Sequence, residues 1–120
     1  VSEFTTACLV SDIAPQSAKR VFIDGTAIAV VRTDEGVFAI QDRCSHADVS
    51  LADGEVDGCS IECWLHGSAF DLRNGFPLSL PAVEPVATYA VRVVGEGDDA
   101  AVEIDPTPIR ARGAGPASFN

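Results

Sequence analysis

Apolar and polar positions fall into short runs separated by turn residues, with almost no helical periodicity, so the chain predicts strands. Phe4 to Val10 reads as a first strand, and Ile13, Ala14 and Pro15 follow in a loop. Lys19 to Ile23 alternates weakly and ends at Asp24-Gly25, a dipeptide suited to a tight hairpin turn. Thr26 to Arg32 returns as a mostly buried strand carried by Ile28, Val30 and Val31. Asp34-Glu35-Gly36 makes the next turn and Val37 to Ile40 a third strand. Connections this short make the three strands sequential antiparallel neighbours. Later, Ser68 to Leu72 reads as a short strand before Asn74-Gly75, the strongest hairpin signal in the chain. Pro77, Pro81 and Pro85 mark an extended loop. Val86 to Val94 predicts one β-rich strand, Gly95 to Asp99 a turn and Ala100 to Ile104 the last strand.

Two stretches depart from this pattern. Gln41 to Leu65 is rich in Asp, Gly, Ser and Cys and poor in large apolar residues. It reads as loops around something other than a hydrophobic core. From Pro106 the chain has two Pro, a Gly-Ala-Gly-Pro run and no apolar pattern, which predicts a mobile or surface-draped tail over 105–120. The expected organisation is an all-β domain over 1–104. Its small β core calls for a staple, which a metal centre in the loop-rich middle would supply.

At 120 residues, 47% of them apolar, the chain suits one packed domain. The longest nearly uncharged apolar stretch, around Thr26 to Val31, is far too short to cross a bilayer. No basic segment followed by an apolar one opens the sequence, so the expected compartment is the cytoplasm. The net charge is -10 and no basic stripe exists, which argues against nucleic acid and suits docking on a basic patch of another protein. Four Cys allow two disulfides, but two of them sit beside His at tight spacing, which favours metal.

Those segments are Cys44-Ser45-His46 and Cys63-Trp64-Leu65-His66, C-x-H and C-x-x-H with 16 residues between. They hold both His of the chain. Each loop offers one thiolate and one imidazole, so two loops bring four ligands to one point. Structural zinc is the first competitor, but zinc sites usually open with paired Cys and close with paired His. A mixed pair per loop suits a dinuclear centre, with one iron on both Cys and the other on both His.

C-x-H followed by C-x-x-H-G-S-x-F-D resembles the Rieske family. Phe38-Ala39-Ile40, Asp42-Arg43-Cys44-Ser45-His46-Ala47 and Ile61 to Asp71 extend the likeness to Rieske ferredoxins. Asn74-Gly75 and Leu80-Pro81-Ala82-Val83-Glu84-Pro85 continue it. The resemblance implies stacked antiparallel β-sheets with a small cluster-binding subdomain, here about 42–81. It implies one [2Fe-2S] cluster, with Cys44 and Cys63 on the inner iron and His46 and His66 on the outer iron near the surface. Gly67 is then expected to let the backbone approach the cluster sulfurs.

Two departures narrow the family. The respiratory type has a further Cys in each cluster loop, joined as a disulfide; Val49 and Leu65 stand there, so that link cannot form. High-potential members place a Ser and a Tyr hydroxyl beside the cluster sulfurs; Ser68 keeps the first and Phe70 replaces the second. Losing a donor destabilises the reduced cluster, so a low potential, on the order of -150 mV, is expected. Cys8 and Cys59 are expected to be small buried hydrophobes, with a Cys8–Cys59 disulfide as the minor alternative.

The chain ends soon after this unit, without the second domain and 2-His-1-carboxylate set of a terminal oxygenase. The resemblance thus implies no catalysis but a monomeric one-electron carrier, like the ferredoxins of bacterial aromatic-ring-hydroxylating dioxygenases. Its partners would be a flavoprotein ferredoxin reductase and a terminal oxygenase. His46 and His66 would offer the electron exit, with Leu65, Leu80 and Pro81 as a flat contact patch. Asp42, Asp48, Asp53, Glu55, Asp57 and Glu62 would steer docking or simply be solvated. A ferredoxin of iron–sulfur assembly and the small subunit of a nitrite reductase-like enzyme are the alternatives.

Overall fold

The computed structural model describes residues 4–43, 49–65, 67–79 and 85–109. Among them the regular structure is strands and single 3-10 turns. The strands are β1 (Thr5–Leu9), β2 (Ser17–Ile23), β3 (Thr26–Thr33), β4 (Gly36–Gln41), β5 (Glu55–Asp57), β6 (Ser60–Glu62), β7 (Ala69–Asp71), β8 (Thr88–Tyr89), β9 (Val91–Val94) and β10 (Ala101–Ile104). They form three antiparallel sheets, ordered β2-β3-β4-β8, β1-β10-β9 and β5-β6-β7.

Strand β3 organises the molecule. Its side chains alternate between two cores, so its apolar run is continuous, as expected of a strand covered on both faces. Ile28 and Val30 face one core, where Cys8 of β1 and Val102 and Ile104 of β10 pack against them. Ala29 and Val31 face the other, filled by Ile40, Leu51, Ile61, Cys63, Phe70, Leu72 and Val86. The central sheet is therefore stacked between the terminal sheet and the loop-rich middle. Leu51, Ile61 and Phe70 are fully buried. Each such side chain contributes about 1.5–3 kcal/mol from apolar area removed from water.

The hairpins β2-β3 and β3-β4 lie where Asp24-Gly25 and Asp34-Glu35-Gly36 predict them. Three expectations need correction. The stretch 41–65 is not loop throughout: β5 and β6 pair as a hairpin, with Val56 opposite Ile61 and Gly58 at φ +61° in its turn. Nor does it avoid a hydrophobic core, since Leu51 and Ile61 are central to one. The predicted strand Val86 to Val94 is two strands in two sheets, with β8 on β4 and β9 on β10. The chain changes sheet at Ala90, whose carbonyl accepts from the Asp105 amide at 3.0 Å.

Of the predicted tail, Asp105 is buried and 107–109 are exposed. Ile109 bridges Thr88 through two backbone hydrogen bonds, 3.0 and 2.7 Å. This segment covers the open edge of β8. The expectation for 110–120 lies outside the described residues. No helix among the described residues is long and apolar enough to cross a membrane.

Candidate metal centre

Both proposed ligand segments follow strand ends in sequence, Gln41 of β4 and Glu62 of β6. The first begins where β4 ends, at Gln41. Cys44 and His46 lie in 44–48, outside the described residues, as do His66, Leu80 and Pro81. Their expected roles are carried by the chemistry of the donor set and by the limbs that hold them.

Cys63 follows β6 and is 1% exposed. Its amide donates to the Ser68 carbonyl at 2.7 Å, and its carbonyl accepts from the Gly67 amide at 2.9 Å. These bonds close a tight turn whose tip presents Trp64 and Leu65 to solvent, 54% and 41% exposed. The thiol thus sits at the inner end of a turn with an apolar tip, unbridged, in the second core. Gly67 has φ +78°, a backbone state that side-chain-bearing residues rarely adopt. A Cβ there would also lie 3.1 Å from the Glu62 carboxylate. The turn alone therefore requires glycine. Ser68 and Phe70 are fully buried in the same region, Phe70 opposite Ile61 and bridged to Pro77.

A third limb braces this turn. Ser79 Oγ accepts from the Ala69 amide at 3.0 Å and donates to the Gly67 carbonyl at 3.3 Å. The Leu78 amide donates to the Ala69 carbonyl at 2.6 Å. Leu78 itself is 57% exposed, an apolar surface residue not singled out by sequence reasoning. Its nearness to Leu80 and Pro81 was the available signal. The proline loop leaves and returns at Asn74-Gly75, where the Val86 amide donates to the Gly75 carbonyl at 2.9 Å.

The six acids divide. Asp42 is not a solvated charge: its side chain is 2% exposed. It accepts from Arg20 Nε at 2.7 Å, from the Ser50 hydroxyl at 2.8 Å and from the Ala52 amide at 2.8 Å. A buried carboxylate needs such partners, because leaving one unpaired costs about 3–5 kcal/mol. Asp53, Glu55, Asp57 and Glu62 are exposed, and three of them, Asp53, Glu55 and Glu62, line a cleft of about 380 Å³ with Cys63, Trp64 and Gly67. Asp48 lies outside the described residues.

Cys8 and Cys59 are free thiols packed against different cores, so the alternative disulfide is absent. Burial pushes the Cys8 thiol up, helped by Asp12. Burial also pushes Cys59 up, with Glu35 adding to it.

A buried, unbridged Cys63 on a glycine-closed turn fits one arm of a Cys2His2 dinuclear iron site. Comparison with known proteins bears on the family. The family profile described as Rieske [2Fe-2S] domain matches residues 3–90. The chain is 37% identical to the biphenyl dioxygenase ferredoxin subunit of Pseudomonas sp. (strain KKS102) over 109 residues, 90% of this chain and 98% of that protein. The solved ferredoxin of carbazole 1,9a-dioxygenase from Nocardioides aromaticivorans IC177 superposes with a TM-score of 0.79 at 33% identity, over 88% of this chain and 100% of that one. A ferredoxin solved in a complex of reduced oxygenase and oxidized ferredoxin in carbazole 1,9a-dioxygenase also gives 0.79 at 33% identity, over 91% and 98%.

Proposed function

The chain belongs to the Rieske [2Fe-2S] family, and from that premise we propose that it is the ferredoxin of a multicomponent aromatic-ring dioxygenase. In this reading it carries single electrons from an NAD(P)H-dependent flavoprotein reductase to a terminal oxygenase. The observation that carries the reading is similarity over nearly the whole length of a dioxygenase ferredoxin, 98% of it, rather than over a cluster motif alone.

The bound [2Fe-2S] cluster supplies a one-electron couple. Cys44 and Cys63 thiolates would hold one iron of that cluster, and His46 and His66 imidazoles the other. Gly67 shapes the second ligand turn, and Ser68 and Phe70 pack behind it. Leu65, Leu80 and Pro81 would serve as the contact patch, with the exposed Trp64 and Leu78 added to it. Asp53, Glu55 and Glu62 line a cleft with exposed Trp64, a pairing of acidic and apolar groups that suits a transient, steered encounter. The protein acts as a monomer in the cytoplasm, and the oxygenase, not this chain, selects the aromatic substrate.

Purified protein is expected to be red-brown and, when reduced, to give the low-average-g EPR signal of a Cys2His2 cluster. Added to a reductase and an aromatic-ring oxygenase, it should restore NADH-dependent dihydroxylation that neither supports alone. Colourless protein carrying zinc would refute the assignment.

A further inference from the structure

One carboxylate joins the two ends of the first ligand loop. Asp42 stands just before the loop, and Ser50 and Ala52 stand just after it. Asp42 Oδ1 accepts from the Ala52 amide, and both of its oxygens lie 2.8 Å from the Ser50 hydroxyl. Oδ2 also accepts from Arg20 Nε, which fixes the junction to β2. The neighbouring Gln41 grips the other side. Its amide oxygen accepts from the Ala87 N–H at 3.2 Å, and its Nε2 donates to the Arg43 carbonyl at 3.0 Å. The limb leaving β4 is therefore tied both to the limb that returns and to the strand where the proline loop ends.

We propose that Asp42 is a positioning residue for the cluster ligands: its buried carboxylate clasps the neck of the loop that carries Cys44 and His46. The proposal rests on reading those two residues as ligands. The described cysteines are all free, so no covalent bond among them holds the ligand loops. Among the described residues, polar contacts across the neck converge on Asp42. Only a carboxylate serves here. Its two oxygens face three donors, a guanidinium N–H, a hydroxyl and a backbone amide, and it has no donor of its own to oppose them. An amide at this position turns one acceptor into a donor pointed at Arg20 or Ala52. Because charge-assisted bonds are the stronger kind, the neck is held more tightly than neutral turn contacts would hold it. Tight holding matters because ligand geometry governs both the retention and the electronic structure of a metal site.

The test compares Asp42→Asn and Ser50→Ala with the unaltered holoprotein, keeping all four proposed ligands. Cluster loss in the presence of an iron chelator is expected to be about tenfold faster in each variant. The g-values of the reduced cluster should shift or broaden, and deuterium uptake by the peptide spanning 50–53 should rise. Unchanged loss rate and g-values in both variants, whatever their melting temperatures, would overturn the clasp and leave Asp42 a fold-stabilising residue. If Asp42→Asn does not fold, Ser50→Ala decides the matter, since it keeps the carboxylate and its ion pair with Arg20. An unaltered protein without a Rieske signal would bring down the ligand reading, and the clasp with it.

Discussion

Phe70, Cys8 and Asp42 show three relations between a residue's type and its role. Phe70 is fully buried in the core that holds Cys63. Its lack of a hydroxyl is legible from sequence, because the position within the motif is fixed. Phe70→Tyr is expected to raise the reduction potential by tens of millivolts, the equivalent of about 1 kcal/mol for one electron, as protein-film voltammetry would show. Cys8 was expected to be a buried hydrophobe, and it is one. Its raised pKa means that the folded state keeps a proton that the unfolded chain has lost above about pH 8.5. Folding stability should therefore fall as pH rises through that range, and Cys8→Ala should flatten the decline in urea midpoints between pH 7 and pH 10. Asp42 fits neither expectation for the six acids, steering or solvation, since its side chain is 2% exposed. Sequence shows a charge in a polar stretch; it does not show that Arg20, Ser50 and Ala52 converge on it.

At the scale of elements, legibility tracked length and turn chemistry. Strands β2, β3 and β4 are six to eight residues long and joined by turns of recognisable type, so they were readable. Strands β5 and β6 have three residues each, too few for alternation to register, whereas β7, equally short, was readable beside Asn74-Gly75. Asp57-Gly58 was the one local signal for the β5-β6 hairpin. The break at Ala90 was invisible because Val86 to Val94 is uniformly β-favouring; only the competing demands of two sheets divide it. Gly75 ties the proline loop to the core, and two constraints meet there. It has φ +80°, and a Cβ would collide with the Val86 carbonyl. Gly75→Ala is expected to cost about 2–4 kcal/mol in denaturant unfolding. Gly25 has a similar φ of +82° with open space around it. Gly25→Ala should therefore cost only the backbone strain, about 1–2 kcal/mol.

Over the whole molecule, one sheet edge and one surface carry consequences. The edge of β8 is covered by 105–109 through the Ile109–Thr88 bridge. Removing residues 106 to 120 should uncover that edge, lower the melting temperature and promote self-association visible in sedimentation. Asp53, Glu55, Asp57 and Glu62 are exposed on a chain with net charge -10. Electron-transfer rates to the oxygenase should fall as ionic strength rises from about 0.01 to 0.5 M in stopped-flow measurements. A flat salt response would mean that these acids only solvate the loops. The sequence by itself determined the all-β class, the main hairpins and the candidate ligand set, because each depends on residue types at short, fixed spacings. Tertiary structure alone decided that β3 serves two cores, that one apolar run splits between two sheets, and that Asp42 turns inward to meet donors from β2 and from the far end of its own loop. Those outcomes depend on which distant groups come to lie opposite one another, and no local spacing encodes that.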